Sequence, residues 1–545
     1  MKALGKHFGL IFLVTFLFVV AAACSSGETS QTENKNEGEA TQETSESNTT
    51  EETGVNEGGE LTVGLSANPM TLDPVNYTTA YEGQVIRSIA DTLVIYSNDL
   101  SEIEPALATE WEVSEDMLTY TFKLRDDVYF QPGEYQNGRQ MTAEDVKYSL
   151  ERSAKQSAMN RLRMVDRVDV VDEFTVNLHL NEKNSALLAV LTDAGNVIVP
   201  KEEVEGWGDQ FGMNLVGTGP FQLDEWRIDD QIKLSRHENY WSQRPHLDSL
   251  IWKGITDQNM MVNALRSGDI DIATDVQGQN RAILEQDDNF ELLTTPGLSI
   301  EYVALNMKEG PTKDIRVREA INLATNVDNL VQGVFQYGGA VRSYLPLPKS
   351  SWGYDPSLES LVPDFDPERA KELLAEAGYP DGFEIDLYVI ERRVPHATIF
   401  QSQLKENLNI TVNINVVEMG VLTDVASKGN APMYLMGWSW YPDPDFFLYQ
   451  MFHSDQIGAL GNGYGFDNEK VDELIKKATS ETAEQEERAA LYVEALELIV
   501  KEYPRVELSL IEISAGISKN VEGFDVRPDS SYVIVNPNTN VSIKK

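Results

Sequence analysis

The sequence is poor in cysteine, histidine and basic residues, and each shortage narrows what it can do. Its single cysteine, Cys24, excludes an internal disulfide, a thiolate metal site and a Cys–His dyad in the body of the chain. The six histidines (His7, His179, His237, His246, His396 and His453) are scattered, and no two have the helical spacing of metal ligands. Only 44 Lys and Arg stand against 88 Asp and Glu, a formal net charge of −44. Such a chain repels phosphate backbones, so nucleic acid is not an expected partner and a polyanionic substrate is disfavoured. Catalytic signatures are missing too. There is no G-x-x-x-x-G-K-[ST], and in VGTGPF (216–221) Pro220 removes an amide that a phosphate nest would need. His237-Glu238 is not followed by the second histidine of a zinc protease, and Gly437-Trp438-Ser439 lacks the glycine that closes a nucleophile elbow. These gaps predict a protein that is not an enzyme and carries no cofactor or metal.

What is present starts at the N-terminus. Lys2 and Lys6 precede an apolar run from Phe8 to Ala23. At about 16 residues it falls short of the roughly 20 that a spanning helix needs. A basic start, a short apolar stretch and the small residues Ala21-Ala22-Ala23 read as a signal peptide over 1–23. Cys24 follows at the cut position. The arrangement resembles the lipobox of bacterial lipoproteins, with Ala21 where that motif usually has Leu, and it implies lipid attached to Cys24. Residues 24–60 are Ser, Thr, Asn, Gln, Gly and Glu with almost no large apolar side chain, which predicts a flexible acidic tether. The expected location is the outer face of the cell membrane.

From Leu61 onward, strand and helix patterns alternate. Leu61–Ala67, Tyr120–Leu124, Thr175–Leu180 and Ile410–Val416 read as strands. Thr142 opens a helix with Asp145 in the capping-box position, and Asp366 caps one that starts at Pro367 and stops at Gly378. Ile315–Val334 and Glu484–Val500 read as two long helices. The class is α/β or α+β with several domains. One stretch stands out chemically: MYLMGWSWYPDPDFF crowds Trp438, Trp440 and Tyr441 into a strand ending in two X-Pro steps. That pattern suits either a ligand wall or inward core packing.

Several blocks together resemble the extracellular solute-binding proteins of family 5, the peptide, opine and nickel receptors of ABC importers. They are ATEWEVSEDMLTYTFKL (108–124), RDDVYFQPGEYQNGRQMTAEDVKYSLER (125–152), VGTGPF, EWRIDDQIKLSRHENYW (225–241), DIRVREAINLATN (314–326), FDPERAKELLAEAGYP (365–380) and GWSWYPDPD (437–445). The resemblance runs from Leu61 to the C-terminus. It implies an α/β, type II periplasmic-binding-protein-like fold of two lobes on a hinge, with an extra domain inserted in the first lobe. By analogy the first lobe takes 61–91, 206–303 and 511–545, the insert 92–205 and the second lobe 304–510. The crossovers are expected near Tyr302–Ala304 and Leu510–Ile513. The implied role is a monomeric, lipid-anchored receptor that passes a small-molecule or peptide ligand to a membrane permease.

For the site, the resemblance implies that a peptide backbone pairs with Gly437-Trp438-Ser439. It further implies that Asn68, Met70 and Tyr81 face the ligand from the first lobe, and Arg392 from the second. Peptide-binding relatives anchor the ligand amine on an aspartate just before the Y-x-D-P loop, and Trp440 occupies that place here. Either Asp443 or Asp445 takes over, or the ligand has no free amine and Trp438 and Trp440 form a stacking floor beside Tyr441. On the second alternative the ligand is an oligosaccharide, a nickel complex or an opine. An extracellular hydrolase is the distant alternative. Two residues apart on one strand, the two tryptophans are expected to share a face.

Overall fold

The computed structural model describes residues 56–544. The expected signal peptide, Cys24 and nearly all of the expected tether lie outside them. Among the described residues no helix is long and apolar enough to cross a membrane.

The backbone of the fold is one 11-stranded sheet. From one edge its strands run Thr411–Val416, Glu384–Val389, Met433–Trp438, Phe290–Leu305, Arg505–Ser518, Ile272–Thr274, Glu60–Leu65, Ser249–Gly254, Gln231–Arg236 and Phe221–Arg227, with Ala340–Arg342 paired off this path. The two long central strands carry the chain from one half to the other. Phe290–Pro296 pairs with Ser518–Glu512, and Ile300–Ala304 with Leu510–Arg505. Between them the register breaks, at Pro296–Ile300 opposite Leu510–Glu512. A second register shift lies between Glu301 and Tyr302, where the expected crossover Tyr302–Ala304 begins. Gly297 permits the close crossing at the first break, because a Cβ at this position would stand 2.8 Å from the Ile511 carbonyl.

Each half has its own apolar core. Leu61, Val63, Ile89, Phe221 and Trp252 form one. On the other half the sheet is covered on both faces: Tyr302, Tyr434, Phe447 and Tyr492 pack on one, and Val303, Leu387, Phe400 and Leu435 on the other. Alternating inward residues of neighbouring strands produce this division. A separate four-stranded sheet, Ala108–Val113, Thr119–Leu124, Thr175–Leu180 and Val165–Asp172, packs with the helix Ala143–Gln156 around a third centre.

Local signals explain most boundaries. Thr142 and Asp145 close a capping box. The Asp366 carboxylate accepts the Arg369 amide at 3.0 Å, ahead of Pro367, a cap worth about 1 kcal/mol. Gly378 follows that helix at φ 95°, a conformation that favours glycine. The expected single helix over Ile315–Val334 is instead two, Ile315–Leu323 and Val327–Val334. The cause is Asn326, whose side chain caps the second helix by accepting the Asn329 amide at 3.0 Å. Apolar periodicity continues across the break and hid it.

Candidate functional site

The strand Met433–Trp438 pairs with the Phe290–Leu305 strand as far as Trp438, opposite Ile300. Ser439 and Trp440 lie beyond the ladder, both exposed. Their backbones make no hydrogen bond to any other described residue. The expected shared strand face therefore does not apply, because Trp440 is outside the strand. The two indoles stack all the same, with centroids 6.3 Å apart and planes at 24°. Trp440 stacks more nearly parallel on Phe446, at 6.0 Å and 6°. Trp438 is half-buried and donates Nε1–H to the Phe446 carbonyl at 3.0 Å. Trp440 is 45% exposed.

Trp440 lines a cleft of about 1010 Å³, together with Ser439 and Tyr441. The opposite walls come from Tyr77–Ala80, Asn160, Arg161, Arg163, Met164 and Asp193. Tyr441 ties the walls together: its hydroxyl donates to Asp193 Oδ2 at 2.8 Å. On the other oxygen, Asp193 accepts the Tyr77 hydroxyl at 2.6 Å and the Arg161 guanidinium at 2.6 Å. Burial, and then the Asp193 carboxylate, push the Tyr441 phenol well above its ordinary range, so it stays a donor.

Asp443 is 2% exposed and both its oxygens are taken by Arg488, at 2.8 and 2.9 Å. It also accepts the Asp445 amide at 3.0 Å. In this geometry Asp443 fixes the loop and offers nothing to a ligand. Removing Arg488 would leave a buried, unpaired carboxylate, a loss of about 3–5 kcal/mol.

The remaining expected residues are not brought into this cleft. Met70 is 80% exposed, Asn68 donates to Asp229 at 3.2 Å, and Tyr81 packs against the first core. Arg392 is exposed. Its neighbour Arg393 is the buried one: its Nε donates to Glu301 Oε1 at 2.8 Å, and it lies against Gly437, where any Cβ would collide with the guanidinium. His396 Nε2 stands 3.0 Å from the other Glu301 oxygen. Burial pushes the Glu301 carboxyl up, but His396 and Arg393 outweigh it and bring it down to about 2. Sequence reading missed this cluster and Asp193, since pairs such as Glu301–Arg393 are joined only by the fold. The one legible hint was the small residue Gly437 ahead of the two tryptophans. Among the described residues no group of three His, Cys, Asp or Glu side chains could hold a metal ion.

Comparison with known proteins follows the same lines. The family model for bacterial extracellular solute-binding proteins, family 5 (middle region), matches residues 102–459. The glutathione-binding protein GsiB of Salmonella typhimurium is 30% identical over 488 residues, covering 87% of this chain and 93% of that one. HbpA2 from Haemophilus parasuis superposes with a TM-score of 0.83 at 26% identity, covering 89% of this chain and 100% of that one. The periplasmic binding protein DppA from Helicobacter pylori, in complex with the peptide STSA, gives a TM-score of 0.69 at 30% identity over 90% of this chain and 99% of that one.

Proposed function

The chain belongs to the bacterial extracellular solute-binding proteins of family 5, and from that premise we propose that it is a receptor for oligopeptides or dipeptides. It is a two-lobed substrate-binding protein of an ABC importer, from a family of binding proteins. The observation that carries the peptide reading is the stretch Ser439–Trp440: backbone free of partners, at the end of a sheet ladder, on the wall of a large cleft. A peptide laid there gains main-chain hydrogen bonds as an added strand, which tolerates many side chains. The peptide complex of the similar DppA and the glutathione named for the similar GsiB support the same class.

Capture works by closure of the first lobe (61–91, 206–303 and 511–545, carrying the insert 92–205) on the second (304–510). The pivot is the pair of long strands at their register break. Closing brings Asn68, Met70 and Tyr81 toward the ligand and sets Arg392 to meet a ligand carboxylate. Lipid on Cys24 and the acidic tether hold the monomer near its permease at the outer face of the cell membrane.

The exposed, stacked Trp440 also favours a second reading, an oligosaccharide or another amine-free solute such as an opine or a nickel complex. A thermal-shift screen against peptide pools, cello- and xylo-oligosaccharides and nickel chelates separates the two. A ligand at a hundredfold excess over its Kd stabilises by about 2.7 kcal/mol. Stabilisation by peptides supports the first reading; stabilisation only by sugars or chelates overturns it.

A further inference from the structure

We propose that Ser185 and Asp193 of the insert form a latch that grips the second lobe and holds the cleft shut, within the peptide reading and the lobe division on which this inference rests. The insert is fastened to the first lobe. Arg152 meets both oxygens of Asp73, each at 2.7 Å, and both side chains are nearly buried. The Asp193 carboxylate is held from the same side. Its Oδ1 takes the Tyr77 hydroxyl and the Arg161 guanidinium, each at 2.6 Å, and the Gly195 amide at 2.7 Å. Three donors on one oxygen fix the carboxylate and leave the other for the second lobe. The Tyr441 hydroxyl, at 2.8 Å, is the one partner of Oδ2 among the described residues.

The second grip is at the end of the helix Glu469–Ser480. The last four carbonyls of a helix have no partner within it. Arg488 Nε donates to the Ala478 carbonyl at 2.9 Å, from within the second lobe. For Thr479 the donor comes from the insert: the Ser185 amide reaches its carbonyl at 2.9 Å. The Ser185 hydroxyl stands 2.6 Å from the Thr482 carbonyl and 3.0 Å from that of Thr479. Arg488 Nη1 in turn donates to the Ser185 carbonyl at 3.3 Å. Around these bonds, Tyr96, Leu100 and Ala189 of the insert pack in the same apolar cluster as Phe447 and Tyr492. When the lobes part, water replaces the hydrogen bonds, and the apolar contacts are lost outright. The latch therefore favours the shut form without locking it.

Both grips are joined to the ligand wall. Tyr441 follows Trp440 in sequence and meets Phe446 edge-on, with centroids 4.8 Å apart at 74°, on the ring where Trp440 stacks. The Thr479 hydroxyl donates to Asp445 Oδ1 at 2.7 Å, and Asp445 lines the cleft. A peptide paired with Ser439–Trp440 orders the loop that presents Tyr441, and the latch slows that peptide's escape. Ser185 lies outside the cleft wall, so it acts on the ligand only as a positioning residue.

Amide hydrogen exchange of the purified full chain, with and without a saturating free tripeptide pool, reads the latch by mass spectrometry of fragments spanning Ser185. The Ser185 amide is expected to exchange at least tenfold more slowly with the pool bound. Ser185→Ala should bind the pool about five- to tenfold more weakly in calorimetric titration, the effect of removing one donor from a buried carbonyl. Its loaded form should also release peptide faster on dilution, followed by tryptophan fluorescence. Tyr441→Phe removes a bond to a carboxylate and should weaken binding at least tenfold. Should Ser185→Ala not fold, Tyr441→Phe is read in its place. Equal exchange at Ser185 with and without bound pool overturns the latch while the peptide receptor stands. A lower melting temperature with unchanged affinity per folded molecule does the same. If the pool does not bind the wild type, the peptide reading falls and the latch with it.

Discussion

Trp440→Ala puts the aromatic floor to the test, because the structure sets stability and affinity apart. At 45% exposure, roughly half of the side chain is already in water. What the fold loses is stacking on Phe446 and Trp438. At about 0.5–1.5 kcal/mol for each aromatic pair, the two stacks are worth about 1–3 kcal/mol. A fully buried tryptophan would cost roughly 3–5 kcal/mol. The exposed part of an indole this size is about 100 Å², and covering it with ligand is worth about 2.5 kcal/mol at ~25 cal/mol/Å². That corresponds to about 70-fold in Kd, and ordering the ligand reduces it. The expected result is at least tenfold weaker binding with a melting temperature lowered by only a few degrees. Calorimetric titration gives the first and circular dichroism melts give the second. If the variant loses the stability of a buried tryptophan while affinity per folded molecule stays constant, Trp440 is a packing residue and the floor does not exist.

Three further outcomes follow, two from other parts of the structure and one from the sequence. Arg488→Ala strands the buried Asp443 carboxylate and should cost about 3–5 kcal/mol, read by urea unfolding; a loss under about 1 kcal/mol would show the pair to be dispensable. Glu301 has its carboxyl lowered to about 2, so the stability it contributes is complete above the unfolded range near 4.5 and is lost as pH falls through about 2. Glu301→Gln should remove about 3 kcal/mol at neutral pH and flatten the acid limb of the stability profile, whereas an unchanged limb would acquit this cluster. Cys24→Ser should leave export intact and release the protein from the membrane fraction; retention there would refute lipid attachment.

How far the fold could be read from the sequence depended on how local its causes are. The strand Thr175–Leu180 and the caps at Thr142 and Asp366 were legible, because alternation and capping act within a few residues. The break at Asn326 was not, since the apolar period runs through it and only the cap reveals it. The site shows the same limit. Trp438, Trp440 and the Y-P-D-P loop stood out by composition, yet their partners did not. Phe446, eight residues beyond Trp438, closes the aromatic stack. Asp193 is 248 positions from Tyr441 and meets it only through the tertiary fold. Arg392 was legible as a charge in a loop, but which of two adjacent arginines is buried depends on Glu301, 92 residues away from Arg393. Asp443 and Asp445 looked equivalent in sequence. Arg488 makes them different, one paired and one open to the cleft.

In the proposed mechanism a solute is captured between two lobes that pivot where the long strands lose register, at Pro296–Ile300 and Leu510–Glu512. Small-angle scattering of the purified protein, alone and saturated with a peptide shown to bind by calorimetry, measures that directly. A smaller radius of gyration is expected with peptide than without. An unchanged radius at saturation would contradict it.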